Sequence, residues 1–345
     1  MIILNGLNQK SRFIENKQAE GGLYFYELNF SYDNQGRIPY NSFIGYVLPT
    51  LGGETSKEKM RAEVIRLRTV IKLLCYILSV IITAGTAYAA PVLAHDGESV
   101  NVPVIMYHSL LDRKTNRWNI SPEEFEKDLQ YLSQNGYETV FISDLTAYVE
   151  TGKPLPEKPV VLTFDDGYYN NLKAMPYLEK YDMKIVLSVI GESSDHWTKH
   201  ADETCERFGH LTWPHITEMF RSGRIELANH TQNMHKNTGG RNGCCRKKSE
   251  SAEDYERVLT DDVEKLQEKL EQISGVRPEC FTYPFGSMCK DSDIVLKKLG
   301  FKVTLSCVSG VNVLRVGNED CLFRMKRNNR TPGESLEEIF RNIGA

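Results

Sequence analysis

The chain has no C-x-x-C pair, no glycine-rich phosphate loop, no surplus of basic residues and no histidine beyond His235. Each absence removes a class of function. Without G-x-G-x-x-G or a Walker loop behind the early strands, nucleotide binding is disfavoured. With 42 Lys and Arg against 46 Asp and Glu the net charge is −4, so no electrostatic footprint for nucleic acid exists. Without C-x-x-C spacing, a cysteine zinc site is disfavoured despite eight cysteines. Seven of these lie beyond Cys75, so at least one thiol stays unpaired in a monomer, and the pairing of the rest cannot be derived from sequence. At 26% charged and 41% hydrophobic residues, what remains is an ordinary globular composition.

Charge is also missing from Leu73 to Ala90, where Leu73, Leu74, Ile77, Leu78, Val80, Ile81 and Ile82 form an apolar run. Arg61, Arg66, Arg68 and Lys72 precede it, and Ala87-Tyr88-Ala89 follows as a small-x-small cleavage pattern. These are the three parts of a secretory signal peptide. An uncleaved signal anchor, holding the protein to a membrane, is the rival reading, since about 18 apolar residues just span a bilayer. Both readings place the C-terminal part outside the cytoplasm. Met60 stands just before the basic segment and is the expected start. The resulting division is residues 1–59 as an extension of unassigned role, 60–90 as signal segment, 91–100 as linker and 101–345 as the catalytic domain.

From residue 101, short apolar runs alternate with amphipathic segments. Strands are expected at Pro103–Tyr107, Thr139–Ile142, Val160–Phe164, Lys184–Ile190, Arg224–Asn229, Cys280–Tyr283 and Phe301–Ser306. Helices are expected after Ser121, Ser143, Thr212, Ser251 and Ser335, with a further one through Tyr177 and Leu178. Such alternation predicts an α/β fold with a parallel sheet, either a barrel or a doubly wound sheet. A barrel collects its chemistry at the C-terminal ends of its strands.

Four strands end in groups of that kind. His108 follows the first, Asp165-Asp166-Gly167 follow Val160–Phe164, His230 and His235 follow Arg224–Asn229, and Pro284-Phe285-Gly286 follow Cys280–Tyr283. Taken singly, Asp-Asp-Gly and Pro-Phe-Gly are turns and the histidines ordinary surface or core residues. Their joint placement at one sheet edge is what points to chemistry. Adjacent carboxylates at a strand end face different ways, so one can bind a metal while the other takes a proton. Two imidazoles and one carboxylate make a metal site with open positions for water and substrate.

The segments TFDDGY (Thr163–Tyr168), NHTQNMH (Asn229–His235) and FTYPFG (Phe281–Gly286) resemble the first three motifs of the polysaccharide deacetylases, carbohydrate esterase family four with its NodB homology domain. The spacing of the two histidines and MYHS (Met106–Ser109) are most similar to the poly-N-acetylglucosamine deacetylase branch. The resemblance implies a distorted (β/α)7 barrel that hydrolyses N-acetyl groups on a glycan. By position it implies Asp165 as general base, Asp166, His230 and His235 as ligands of a divalent metal, commonly zinc, and the backbone N–H of Phe285 as oxyanion donor. A glycan polymer is then the expected partner, and nucleic acid is not. A glycan-binding protein without activity, or a metal amidase acting on a small molecule, are the competing readings.

Two departures stand out. The arginine that normally orients the base is replaced by Thr282, and Arg324 and Arg327, in LFRMKR, are candidates for its role, with Arg324 carried forward. The family's C-terminal histidine motif is absent, since all eight histidines lie at or before His235. A circularly permuted barrel would resolve this, with the missing strand at the start of the domain and His108 at its end as general acid. The alternative is that His108 only packs beside that strand. Lys236, Arg241, Arg246, Lys247 and Lys248 form a basic glycine-rich loop beside the expected metal, read first as a solvated loop and second as a contact for anionic polymer or membrane phosphate.

Overall fold

The computed structural model describes residues 99–112, 116–200 and 205–345. The extension 1–59, the signal segment 60–90 and the linker up to residue 98 lie outside the described residues. Among the described residues no helix is long and apolar enough to cross a membrane.

The strands are β1 (Ser99–Tyr107), β2 (Pro159–Phe164), β3 (Ile185–Val189), β4 (Ile225–Asn229), β5 (Cys280–Thr282), β6 (Val303–Leu305), β7 (Val311–Arg315) and β8 (Asn328–Asn329). The helices are α1 (Pro122–Gln134), α2 (Ile142–Thr151), α3 (Met175–Lys180), α4 (Gly191–Lys199), α5 (Trp213–Arg221), α6 (Ala252–Ser274), α7 (Lys290–Lys298) and α8 (Leu336–Ile343). Strands β1 to β6 run parallel in the spatial order β6-β5-β4-β3-β2-β1. Every residue of β2 and of β3 is buried, which is why these strands read as unbroken apolar runs rather than alternating ones. Tyr107, Phe125, Phe164 and Leu187 belong to the larger core on the helix-covered side.

The sheet closes through an irregular seventh stave. Met325 N–H donates to Thr304 O at 2.8 Å, and Ser306 N–H donates to Met325 O at 2.9 Å. Three residues on, β8 pairs in parallel with β1, Ile105 opposite Asn328. Residues 325–329 therefore tie the last parallel strand to the first, and the fold is a distorted (β/α)7 barrel with β1 completing it from the start of the domain. The antiparallel β7 lies against the first half of β1, Val102 opposite Asn312.

Helix starts follow local chemistry. Ser121 caps α1 with a capping box, Glu124 N–H to Ser121 Oγ and Ser121 N–H to Glu124 Oε2, both 3.1 Å. The expected strand Thr139–Ile142 is corrected: the ladder covers only Glu138–Thr139, and α2 already begins at Ile142. Ser143 is inside that helix and does not cap it. The Glu226 carboxylate of β4 instead accepts the N–H groups of Ile142 (2.6 Å) and Ser143 (3.0 Å), supplying negative charge where the helix dipole favours it. Four elements are absent from the sequence reading, α4, α7, β7 and β8, and α4 and β7 carry weak patterns. GESSDHWTK buries only Gly191 and Ser194, and VNVLR exposes every second residue at the sheet edge.

Candidate active site

At the C-terminal end of β2 the ladder continues one residue further, Asp165 N–H donating to Tyr107 O at 3.0 Å. Asp166 then turns into the left-handed region, φ 69°, which sends consecutive carboxylates in different directions. Asp165 meets Arg327 in a bidentate pair, Nη1 to Oδ1 at 2.7 Å and Nη2 to Oδ2 at 2.8 Å. The Arg327 guanidinium is fully buried and also donates from Nε to Ser306 O at 2.8 Å and from Nη1 to Thr163 Oγ1 at 3.2 Å. Burial alone would raise the Asp165 carboxyl. The Arg327 and His230 charges and the Arg327 hydrogen bonds outweigh it and hold the pKa below the usual carboxylate range.

Asp166 faces two imidazoles, with Oδ1 3.5 Å from His230 Nε2 and 3.3 Å from His235 Nε2. His230 continues β4, its N–H donating to Val189 O at 3.1 Å. Its Nδ1 lies 2.8 Å from Thr282 O, an acceptor only, so Nδ1 carries the proton and Nε2 presents its lone pair. The chain then reverses at Thr231, φ 71°, an uncommon conformation for a β-branched residue. Asn229 Oδ1 accepts Thr231 N–H at 2.9 Å, and Asp262 of α6 accepts the N–H groups of Gln232 (2.8 Å) and Asn233 (2.9 Å). The long helix thus pins the turn that returns His235 to His230, ring centroids 4.8 Å apart.

This cluster fits a divalent metal. One ligand atom from each of Asp166, His230 and His235 lies within 4.8 Å of the others, and Asp166 Oδ1 is buried with no hydrogen-bond partner. Two nitrogens and one oxygen suit zinc and other borderline ions. Burial, helped by the His230 charge, lowers the His235 pKa to about 4, so its ring is neutral and ready to ligate near pH 7. Burial pulls His230 down as well, but the Asp166 and Asp165 carboxylates beside it outweigh this and raise its pKa. A place that stabilises a proton in this way favours a cation.

Phe285 adopts φ 59° in the turn Pro284–Gly286, and its half-exposed ring lies over His235, centroids 4.3 Å apart. The turn's own hydrogen bonds use the N–H groups of Gly286 and Ser287, not that of Phe285. His108 follows β1, partly buried, with its ring 4.5 Å from that of Trp118 and its buried Nδ1 without a partner. Its carbonyl accepts Asn171 Nδ2–H at 2.7 Å, which fixes the backbone there. Burial lowers its pKa, opposed by the Asp166 and Asp165 charges that it faces.

Arg324 is not part of this group, and the expectation for it is corrected. Its side chain is 43% exposed and pairs with Asp293 at 2.6 Å. Arg327, three residues on, sits on the closing stave and points into the barrel. Thr282, where the family pattern has arginine, instead shares a hydrogen bond with Ser188, Oγ to Oγ at 2.7 Å. Most of the basic loop is neutralised locally, Lys236 by Glu192, Arg241 by Glu250 and Arg246 by Asp291. The described cysteines are all free thiols.

Known proteins resemble this chain in sequence and in fold. Residues 152–304 match the family model described as polysaccharide deacetylase. This stretch thus carries the sequence pattern of the polysaccharide deacetylases. Over 227 residues the chain is 30% identical to a poly-beta-1,6-N-acetyl-D-glucosamine N-deacetylase of Escherichia coli K12, covering 60% of this chain and 34% of that relative. A protein of the same name from Staphylococcus aureus is 24% identical over 208 residues, 58% of this chain and 65% of the relative. The chain thus spans about a third of the first relative's length and under two thirds of the second's. Among solved structures the chain is similar to IcaB from Ammonifex degensii, at a TM-score of 0.59 and 26% identity, covering 72% of this chain and 98% of that one. It shares its fold with a Streptococcus pyogenes deacetylase, PplD, at a TM-score of 0.58 and 20% identity, over 71% of this chain and 99% of that one.

Removing both imidazoles tests whether Asp166, His230 and His235 hold an ion. His230→Ala combined with His235→Ala is expected to abolish stoichiometric zinc content, measured by atomic emission on protein loaded and then desalted. Full metal content in that double variant would place the ion elsewhere.

Proposed function

We propose that the domain is a metal-dependent hydrolase that removes N-acetyl groups from an N-acetylglucosamine-containing polysaccharide outside the cytoplasm, releasing acetate. The observation that carries this reading is the pairing of a buried, arginine-held carboxylate, Asp165, with the adjacent Asp166–His230–His235 cluster at one barrel mouth. A single carboxylate or a lone metal cluster would serve many ends. The two side by side, from consecutive residues, divide ligation from proton transfer.

Asp166, His230 and His235 would hold the metal, which when bound supplies Lewis acidity toward water and the amide carbonyl. Asp165 is ionised near neutral pH and accepts the proton of the attacking water. Arg327 keeps both carboxylate oxygens in fixed positions, so little reorientation precedes that transfer. The Phe285 N–H donates to the oxygen on which charge develops. His108 delivers a proton to the departing amine, leaving a free amino group on the sugar. The names of the relatives favour a β-1,6-linked N-acetylglucosamine polymer as substrate.

Acetate release decides the matter. The purified chain loaded with Zn2+ is expected to release acetate from β-1,6-N-acetylglucosamine oligomers, to do so more slowly from peptidoglycan, and to stop when a chelator is added. Release from peptidoglycan alone would change the polymer. Acetylated small amines hydrolysed in preference to any oligomer would make the protein a small-molecule amidase. Oligomer binding with no acetate from any substrate would make it a glycan-binding protein.

A further inference from the structure

The left-handed conformation of Asp166 has to be maintained by something other than its own side chain. Its φ of 69° is followed by Gly167 at 67°, so two successive residues sit where L side chains are disfavoured. The segment that clamps them comes from far along the chain. Leu211 N–H donates to Gly167 O at 2.8 Å, and Tyr169 N–H donates to Gly209 O at 2.8 Å. Between these two bonds His210 places Nδ1 2.9 Å from the main-chain carbonyl of Asp166. A carbonyl only accepts, so Nδ1 carries the proton and donates. The His210 ring also stacks on Tyr168, centroids 4.9 Å apart and planes 27° from parallel. The strap that carries it is itself braced, Asn170 Nδ2–H donating to Glu206 O at 2.9 Å and Gly209 N–H to Cys205 O at 2.8 Å. A Cβ at Gly209 would lie 2.7 Å from that same Cys205 oxygen, so the close approach requires glycine.

We propose that His210 is a positioning residue for the metal centre, holding the Asp166 peptide by its Nδ1–H so that the Asp166 carboxylate stays aimed between His230 and His235. The inference rests on the metal-site reading above and adds a residue to it that touches neither metal nor substrate. Outer partners of metal ligands of this kind typically alter affinity by about 10- to 100-fold. Rotation of the Asp166 peptide would move its carboxylate too, since a single methylene separates the carboxylate from the Asp166 Cα.

The test is Zn2+ affinity of the full chain, measured by competition with a chromophoric chelator. His210→Ala is expected to weaken Zn2+ binding by about 10- to 100-fold. His210→Phe keeps a ring against Tyr168 but has no donor, and should be as weak as His210→Ala. His210→Asn places an amide N–H near the Nδ1 position and should restore affinity to within about threefold of the parent, a margin well inside that range. Parental affinity in His210→Ala or His210→Phe overturns the inference, and so does His210→Asn as weak as His210→Ala. His235→Ala is the control for the underlying reading: if it binds Zn2+ as well as the parent does, the metal centre is misassigned and the inference goes with it. If His235→Ala loses the ion while His210→Ala keeps it, only the role of His210 fails.

Discussion

Asp165→Asn is expected to bind Zn2+ with parental affinity and to release acetate about two to four orders of magnitude more slowly. Asparagine keeps the shape and one acceptor oxygen but cannot take a proton from water. Asp165 does not belong to the ligand cluster, so the metal should stay. The carboxyl's pKa is held below its ordinary value near 3.8, so the parent's base is already ionised throughout the neutral range. Substitution also leaves the Arg327 guanidinium buried without its counter-charge, an arrangement that typically costs about 3–5 kcal/mol. The variant should therefore unfold at lower urea while its folded form still holds zinc, and rates should be compared at a temperature where both proteins are folded. Equal loss of metal and activity would make Asp165 a ligand and end the division of labour between the two aspartates.

The expectation of such a division rests on two features that sequence displays well. Buried parallel strands read as unbroken apolar runs, and the residue after such a run is at the barrel mouth. Asp165, Asp166, His230 and Phe285 all follow runs of this kind. Arg327 does not. It sits on a stave held by a single bridge at Met325 and a two-residue ladder at Asn328–Asn329, with no apolar run to mark it. The sequence contains two arginines three residues apart there, and only the turn at Arg324, φ 57°, decides that Arg324 faces Asp293 and Arg327 faces Asp165. The Glu226 cap of α2 escaped notice for a related reason. Its partners are 83 and 84 positions away, and a local capping rule searches only the neighbouring residues. His210 is a third instance, since its partner is a backbone carbonyl 44 positions distant. What sequence conveyed was the periodic and the local; what it withheld was the long-range hydrogen bond, to a carboxylate at Arg327 and to main-chain groups at Glu226 and His210.

His108→Ala is expected to keep both fold and metal while lowering kcat about a hundredfold or more. Amide cleavage requires a proton for the leaving nitrogen, and among side chains histidine is best matched to that task near neutral pH. Six of the seven described histidines can be placed elsewhere. His230 and His235 face Asp166, His210 donates to its carbonyl, His215 accepts from Thr212 at the start of α5, His196 lies on α4 and His200 is the residue that ends it. His108 alone combines a buried nitrogen lacking any partner with proximity to both carboxylates. Trp118 against its ring and Asn171 on its carbonyl hold it in place without using either ring nitrogen. The acid form is the protonated one, so activity that depends on it is present below the imidazole pKa and is lost as pH rises through that value. Burial sets that pKa below the ordinary 6.5, and the two carboxylate charges hold it from falling further. The parent's pH–rate profile should accordingly show an alkaline limb that His108→Ala lacks. Because the ring is packed against Trp118, His108→Gln serves as a second variant that fills the space without titrating, and it should lose the same limb. If either variant works at the parental rate with the limb intact, the proton comes from another group and His108 is a packing residue.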